Sequence, residues 1–301
     1  MRCCLTGDRI LAEDVQTLRL APTVAKSSEC SAFLRFASDE SGRTHIERQF
    51  APYPFHFCRP FYLDGDPDGM ATVYIQSCAG GIFAHDALHL SIDATPGAKA
   101  HVTTAASTIV HSMPVGQAKQ SVSIVAAENT LVEYLPDPMI LFVGSRVKSS
   151  IDLILQPNAC VMLSDAFLLH DYRALGGAFD SFHGDITVRD TTGEVVVRDR
   201  IRVNGKDLLG VTPGLMGSCV AQASVMLFCR QEFLATVLDG WRYALDNIDG
   251  IYAGASLMRQ KLGIFARIIA DDGAALREAQ LALWRCARVE VTARTPMPRR
   301  K

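Results

Sequence analysis

From about Phe33 to Asn204 the chain alternates apolar and polar positions in short runs, the period of half-buried β-strands. In LHLSID, Leu88, Leu90 and Ile92 take one face and His89, Ser91 and Asp93 the other. The segment DITVRDTTGEVVVRDRIRVNG predicts a hairpin turning at Thr192-Gly193, with Val195, Val197, Ile201 and Val203 on one side and Arg198, Arg200 and Arg202 on the other. Three further segments, SIDATPGAKAHVTT, SIVAAENTLVEYLP and LILQPNACVMLSDA, share one order of strand, tight turn and strand. Their turn residues Gly97, Asn129 and Asn158 tolerate positive φ and stand 32 and 29 positions apart, with Pro96 and Pro157 just before two of them. A period of that size predicts coils or hairpins stacked so that each buries its neighbour's face. A β-sandwich of ordinary hairpins fits the same pattern.

After about Gly205 the texture changes. QEFLATVLDGWRYALDNI and GAALREAQLALWRCARV have helical periodicity, the second with Leu276, Leu283 and Ala287 on one stripe beside Trp284. The predicted fold is mainly β: a stacked β-hairpin or β-helix-like body of many short strands, with two or three α-helices in the C-terminal third. We read one domain over residues 1–301, with the β-rich body at 33–205, a helix-containing part packed on it at 206–290 and a flexible basic tail at 291–301.

Composition narrows the functional classes. With 30 basic and 32 acidic residues in 301, the net charge of −2 gives no nucleic-acid footprint. The amino terminus is interrupted by Asp8, Arg9, Glu13 and Asp14, so it lacks the unbroken apolar stretch of a secretory signal. The apolar run CVAQASVMLFC (Cys219 to Cys229) is short of the about 20 residues that span a bilayer. Nine scattered cysteines with no C-x-x-C support neither zinc knuckles nor a secreted disulfide framework. A cytoplasmic, membrane-free protein is expected, with Cys3-Cys4 an ordinary pair.

Four stretches invite chemistry. AGGIFAHDALHLSID sets Gly80 and Gly81 before His85, Asp86 and His89. On a strand His85 and His89 share a face but stand about 13 Å apart, too far for one ion, so a turn entering a strand with exposed histidines is expected. DGDPDGMATVYI places Asp64, Asp66, Asp68 and Gly69 as in a calcium loop, yet Ile75 occupies the twelfth position, where a glutamate belongs. An acidic loop is the expectation. No G-x-S-x-G, H-E-x-x-H or phosphate-binding loop occurs, and NGKD at Asn204 to Asp207 lacks the neighbours such a loop needs. In LVEYLPDPMILF, Glu133 and Asp137 flank Tyr134-Leu135-Pro136, and Pro138 bars a regular central strand. Their carboxylates face solvent, the ordinary outcome, or pair with an arginine, or line an internal polar passage.

Taken together these segments resemble the urease accessory protein D family, called H in some organisms, from about Phe33 to Arg299. The likeness is carried by RPFY (Arg59 to Tyr62), ATVYIQSCAGGIFAHDALHLSI, AHVTTAAS, AKQSVSI, LVEYLPDPMILF, LWRCAR and PMPR (Pro296 to Arg299). Gly80, Gly81 and Asp86 match the family's turn, Thr103 and Thr104 its double threonine, and Glu133 and Pro136 its proline-ended strand. The chain departs at His85, where the family usually has glycine, and at Ala105, Ile109 and His111, where it has Gln, Lys and Tyr. In DYRALGGAF only Asp171-Tyr172 and Gly176-Gly177 remain of the family's pairs. The resemblance implies a non-enzymatic urease maturation scaffold or chaperone that binds accessory proteins F and G and the urease apoprotein. It further implies nickel in transit, with no tight metal site and no tightly bound cofactor. Glu133 and Asp137 are the candidates to line that passage. Partner surfaces are expected around Trp241 and Trp284, although either ring also suits a core. A competing reading from another class is a β-rich metal-dependent hydrolase using His85, Asp86 and His89 with a distant His101 or His111. A small-ligand-binding β protein is a third.

Overall fold

The computed structural model describes residues 29–210 and 214–297. The Cys3-Cys4 pair and the last four residues of the basic tail lie outside that range. In chain order the first strands are β1 (Glu29–Ser38), β2 (Thr44–Phe50), β3 (Phe55–Phe57), β4 (Ala71–Ser77), β5 (Ala87–Ala94), β6 (Lys99–Thr104) and β7 (Ile109–Val110). There follow β8 (Ala118–Ala126), β9 (Leu131–Tyr134), β10 (Met139–Phe142), β11 (Arg146–Leu155), β12 (Cys160–His170), β13 (Ser181–Arg189) and β14 (Val195–Asn204). The C-terminal part holds β15 (Ala221–Phe228), α1 (Gln231–Asp246), β16 (Ile251–Leu257), β17 (Ile264–Ala270) and α2 (Gly273–Thr292).

The predicted repeat is a stacked coil, and the sandwich of hairpins is set aside by the strand pairing. β5 and β6 flank the Gly97 turn but do not pair with each other: β5 pairs in parallel with β1 and β8, and β6 with β4 and β9. Each turn is a corner at which the chain passes from a seven-stranded sheet, β14-β13-β11-β8-β5-β1-β2, to a ten-stranded one that runs β16-β17-β15-β12-β9-β6-β4-β3 with β10 and β7 alongside. The ladder offsets repeat the corner spacing, since Ile92 opposes Ile124 and Leu153 opposes Ile124, 32 and 29 residues away. Gly97, Asn129 and Asn158 have φ of +76°, +57° and +60°, where other residues are strained. Successive corners hydrogen-bond to one another: the Gly97 N–H donates to Glu128 O (3.1 Å), the Leu131 N–H to Ala98 O (3.0 Å) and the Cys160 N–H to Thr130 O (2.8 Å).

Alternation then fills the space between the sheets. Leu90, Ile92, Ile124, Leu153, Val102, Val132, Val161 and Leu163 meet there, all 3 % exposed or less. Burying each such side chain stabilises by about 1.5–3 kcal/mol, so a charge at Ile124 would break this layer. β13 and β14 form the expected antiparallel hairpin, with Gly193 at φ +86°.

The C-terminal third holds two helices and more β structure than the helical periodicity predicts. β15, buried along its whole length, joins β12, and β17 and β16 extend the larger sheet antiparallel from it. A strand covered on both faces reads as an unbroken apolar run, which hides its period. The outer face of that sheet is covered by the helices. Leu234, Val237, Leu238, Trp241 and Leu245 of α1, and Leu276, Ala279, Leu283 and Ala287 of α2, pack with Met162, Ala223, Val225 and Ile268. Asp272 caps α2, accepting from the Ala274 and Ala275 N–H groups at 2.8 Å. Trp241 and Trp284 are both core residues, 0 % and 3 % exposed.

Candidate functional site

On β6 and β9 the odd positions, His101 and Glu133, stand side by side in register and point away from the inter-sheet core toward α2. Trp284 and Arg288, one helical turn apart on α2, close over them. All four are buried. Arg288 forks onto Glu133, Nε to Oε1 at 2.7 Å and Nη2 to Oε2 at 2.5 Å. The Oε2 atom also accepts from Trp284 Nε1 at 2.8 Å and lies 2.6 Å from His101 Nδ1. The remaining guanidinium nitrogen, Nη1, donates to Asp66 at 2.7 Å, and Asp66 accepts from Thr72 Oγ1 at 2.8 Å. Burial alone would push the Glu133 carboxyl up, but the guanidinium and imidazole beside it hold it well below the usual carboxylate range. Burial would likewise lower Arg288, and the two carboxylates overrule it and raise it further. This arrangement bolts α2 and the 64–69 loop to the β body.

Of the three outcomes open for Glu133 from its sequence, pairing with an arginine is the one observed, and the solvent-facing outcome fails. Asp137 has different surroundings. It is half-buried, its N–H donates to Thr104 Oγ1 at 2.9 Å, and it borders a cavity of about 30 Å³ with Pro136, Ser164, Arg277 and Gln280. The double threonine explains how the chain tolerates its proline break. Thr103 Oγ1 donates to Leu135 O at 2.7 Å and Thr104 receives Asp137, so side chains on β6 take over where the ladder stops at Pro136.

The Gly80-Gly81 stretch is a turn, as expected. Gly81 has φ +141°, and a Cβ there would lie 2.5 Å from Ile109 O. Asp86 ties the turn by accepting from the Phe83 N–H at 2.8 Å. These glycines rim a cavity of about 530 Å³ whose walls include Ile75, Leu88, Leu90, Gln120, Val122 and Tyr134. The histidines are half-buried, a correction to the exposed positions expected. His85 adopts φ +70°, a conformation that suits the glycine expected there, and its ring lies against Gly116. His89 sits among Ser91, Ser121 and Ser123 at 2.9–3.1 Å. His111 stacks on Phe83 at 4.5 Å and meets Gly80 O at 3.0 Å, while His101 is held on Glu133. The residues named for the hydrolase reading therefore occupy separate surroundings. Among the described residues no group of three or more His, Cys, Asp or Glu is placed to hold a metal ion.

The acidic loop divides: Asp66 is buried on Arg288, and exposed Asp68 pairs with Arg294 at 2.9 Å. The tail as far as Met297 lies against this loop, close enough that a Cβ on Gly65 would meet Thr295 O at 2.6 Å. Arg288 escaped the sequence reading, and Asp66 and His101 entered it only as part of the acidic loop and of the hydrolase alternative, not as members of this cluster. The available signal was Arg288 itself, one turn past Trp284 on an apolar stripe, since an arginine on a covered helix face needs a carboxylate.

A family model described as UreD urease accessory protein matches residues 29–301. The chain belongs to the UreD urease accessory protein family. It is 38% identical over 271 residues to urease accessory protein UreD 1 of Pseudomonas syringae pv. syringae (strain B728a), covering 90% of this chain and 95% of that one. It is 32% identical over 260 residues to UreD 1 of Methylorubrum populi, covering 86% and 88%. To UreD 3 of Bradyrhizobium sp. (strain ORS 278) it is 32% identical, covering 86% and 91%. Membership in UreD gives the chain a role in urease maturation. No helix among its described residues is long and apolar enough to cross a membrane.

Proposed function

We propose that this UreD chain is a non-catalytic cytoplasmic scaffold or chaperone that binds accessory proteins F and G and the urease apoprotein and assists nickel delivery to the urease active centre. The observation that carries this reading is the state of its most chemistry-rich cluster. The Glu133 oxygens are engaged by Arg288, Trp284 and His101, so the cluster serves the shape of the molecule. A scaffold needs that rigidity. A nucleophile or tight metal site needs a carboxylate or imidazole presented to a ligand. For nickel in transit, Asp137 is the better placed of the two carboxylates, because it borders a cavity while Glu133 is committed to Arg288.

Co-expression with the cognate accessory proteins and urease, followed by affinity capture, size-exclusion chromatography and metal analysis of the peak, tests the reading. Co-elution with little bound metal is expected. A monomer carrying one tight equivalent of metal would overturn it. Asp137→Ala should leave the complex intact and lower urease activation when nickel is limiting. Unchanged activation would remove Asp137 from the nickel route while leaving the scaffold standing.

A further inference from the structure

β12 and β15 run antiparallel with Val161 opposite Phe228 as the last registered pair, so the next position sets Cys160 opposite Cys229. Hydrogen-bonded and non-hydrogen-bonded pairs alternate along such a ladder. The Leu169 N–H donates to Val220 O, which makes Leu169–Val220 a bonded pair. Counting back nine positions makes Cys160–Cys229 a non-bonded one. The Cys160 N–H agrees, because it points the other way, to Thr130 O on the neighbouring coil. Non-bonded pairs bring their Cα atoms to about 4.5 Å, inside the range a disulfide bridges. Both side chains pack against the same cluster beneath α1 and α2, so they leave the sheet on one face. Both thiols are free.

We propose that Cys160 and Cys229 are a cross-strand oxidation site that closes to a disulfide with a small anionic disulfide as oxidant. Access is from one side. Cys229 forms part of the wall of a surface cleft of about 490 Å³ together with Asn158, Asp190, Arg230 and Lys261, and its two cations against one carboxylate suit an anionic reagent. Burial raises both thiols. Cys229 reaches about 11, and Cys160 is raised well above the usual thiol range by burial and then by Cys229 and Glu133. Cys229 borders the cleft and Cys160 does not, so Cys229 is the first nucleophile. Its thiolate attacks one sulfur of the oxidant, forming a mixed disulfide and expelling one thiolate. Cys160 then gives up its proton to that thiolate and attacks the Cys229 sulfur, expelling the second thiolate, which takes up the proton that Cys229 released to solvent. Two protein thiols are oxidised and one disulfide is reduced to two thiols. The new bond closes a 69-residue loop and fixes the end of β15 where α1 begins.

Native full-length chain equilibrated in glutathione redox buffers of increasing oxidised fraction, then trapped by alkylation and mapped by mass spectrometry without reduction, tests this. The expected product is a cross-linked peptide pair containing Cys160 and Cys229, two hydrogens lighter than the reduced pair and retained in Cys286→Ser. The melting temperature of the oxidised wild-type chain should rise by roughly 5 °C over the reduced chain. A pair that stays reduced in the most oxidising buffer, a stable glutathione adduct on Cys229 alone, or a link from either residue to Cys286 would each overturn the proposal. The wild-type readouts stand whether or not Cys286→Ser folds.

Discussion

Glu133 on β9 and Asp165 on β12 are buried carboxylates on neighbouring strands of one sheet, and they face opposite sides of it. Glu133 looks outward to α2 and meets a guanidinium fork, an indole N–H and an imidazole. Asp165 looks into the inter-sheet core, where Ser149 Oγ donates to it at 3.2 Å and Asp199 adds a like charge. Burial raises Asp165 to about 6, the serine opposing and Asp199 assisting. The same loss of hydration thus ends with one carboxylate locked in its charged form and the other easily protonated. A cation within reach is what separates them.

The largest effect is expected from breaking the paired side. Glu133→Ala leaves the Arg288 guanidinium buried with two of its three hydrogen bonds gone and should cost about 3–5 kcal/mol in denaturant-induced unfolding. A loss below about 1 kcal/mol would show that water or Asp66 replaces the carboxylate. On the unpaired side, Asp165→Asn should stabilise the protein near pH 7 by about 2–3 kcal/mol. The sign follows from the raised value. Stability linked to Asp165 is fully present below its unfolded value near 3.8 and is lost as pH rises through about 6. The advantage of the asparagine variant should therefore open between about pH 4 and pH 6. Glu133 runs the other way, because its folded value is depressed. Its contribution is present above the ordinary carboxylate range and is lost as pH falls below it. Unfolding curves of wild type and Asp165→Asn that stay parallel from pH 4 to 7 would refute this contrast. The smallest change is Trp284→Phe, which removes one donor from Glu133 while keeping a ring over His101. It should cost about 1–2 kcal/mol, read from the thermal transition.

The repeat was legible because it is local. Gly97, Asn129 and Asn158 mark corners that any tracing of the chain must turn, and their spacing equals the ladder offset. The β13–β14 hairpin was legible for the same reason. β16 and β17 were missed, since short strands rich in Ala, Gly and Ile between two helices carry no clear period of two. At the candidate site, the resemblance singled out Gly81, Asp86, Thr103 and Pro136, and each has a local task in a turn or at the strand break. Glu133 was noticed and Arg288 was not.

That asymmetry marks the division between chain and fold. Periodicity, corner residues and the proline break are properties of neighbours along the chain, and they determined a stacked β body with helices at its end. Which acid meets which base was decided only in three dimensions. Arg288 lies 155 residues from Glu133 and 222 from Asp66, and no local preference links them. They meet because the apolar stripe of α2 must be covered, and covering it on the outer face of the larger sheet brings the guanidinium down onto a carboxylate. Once there, the cost of leaving either charge alone in a dry interior holds the pair together.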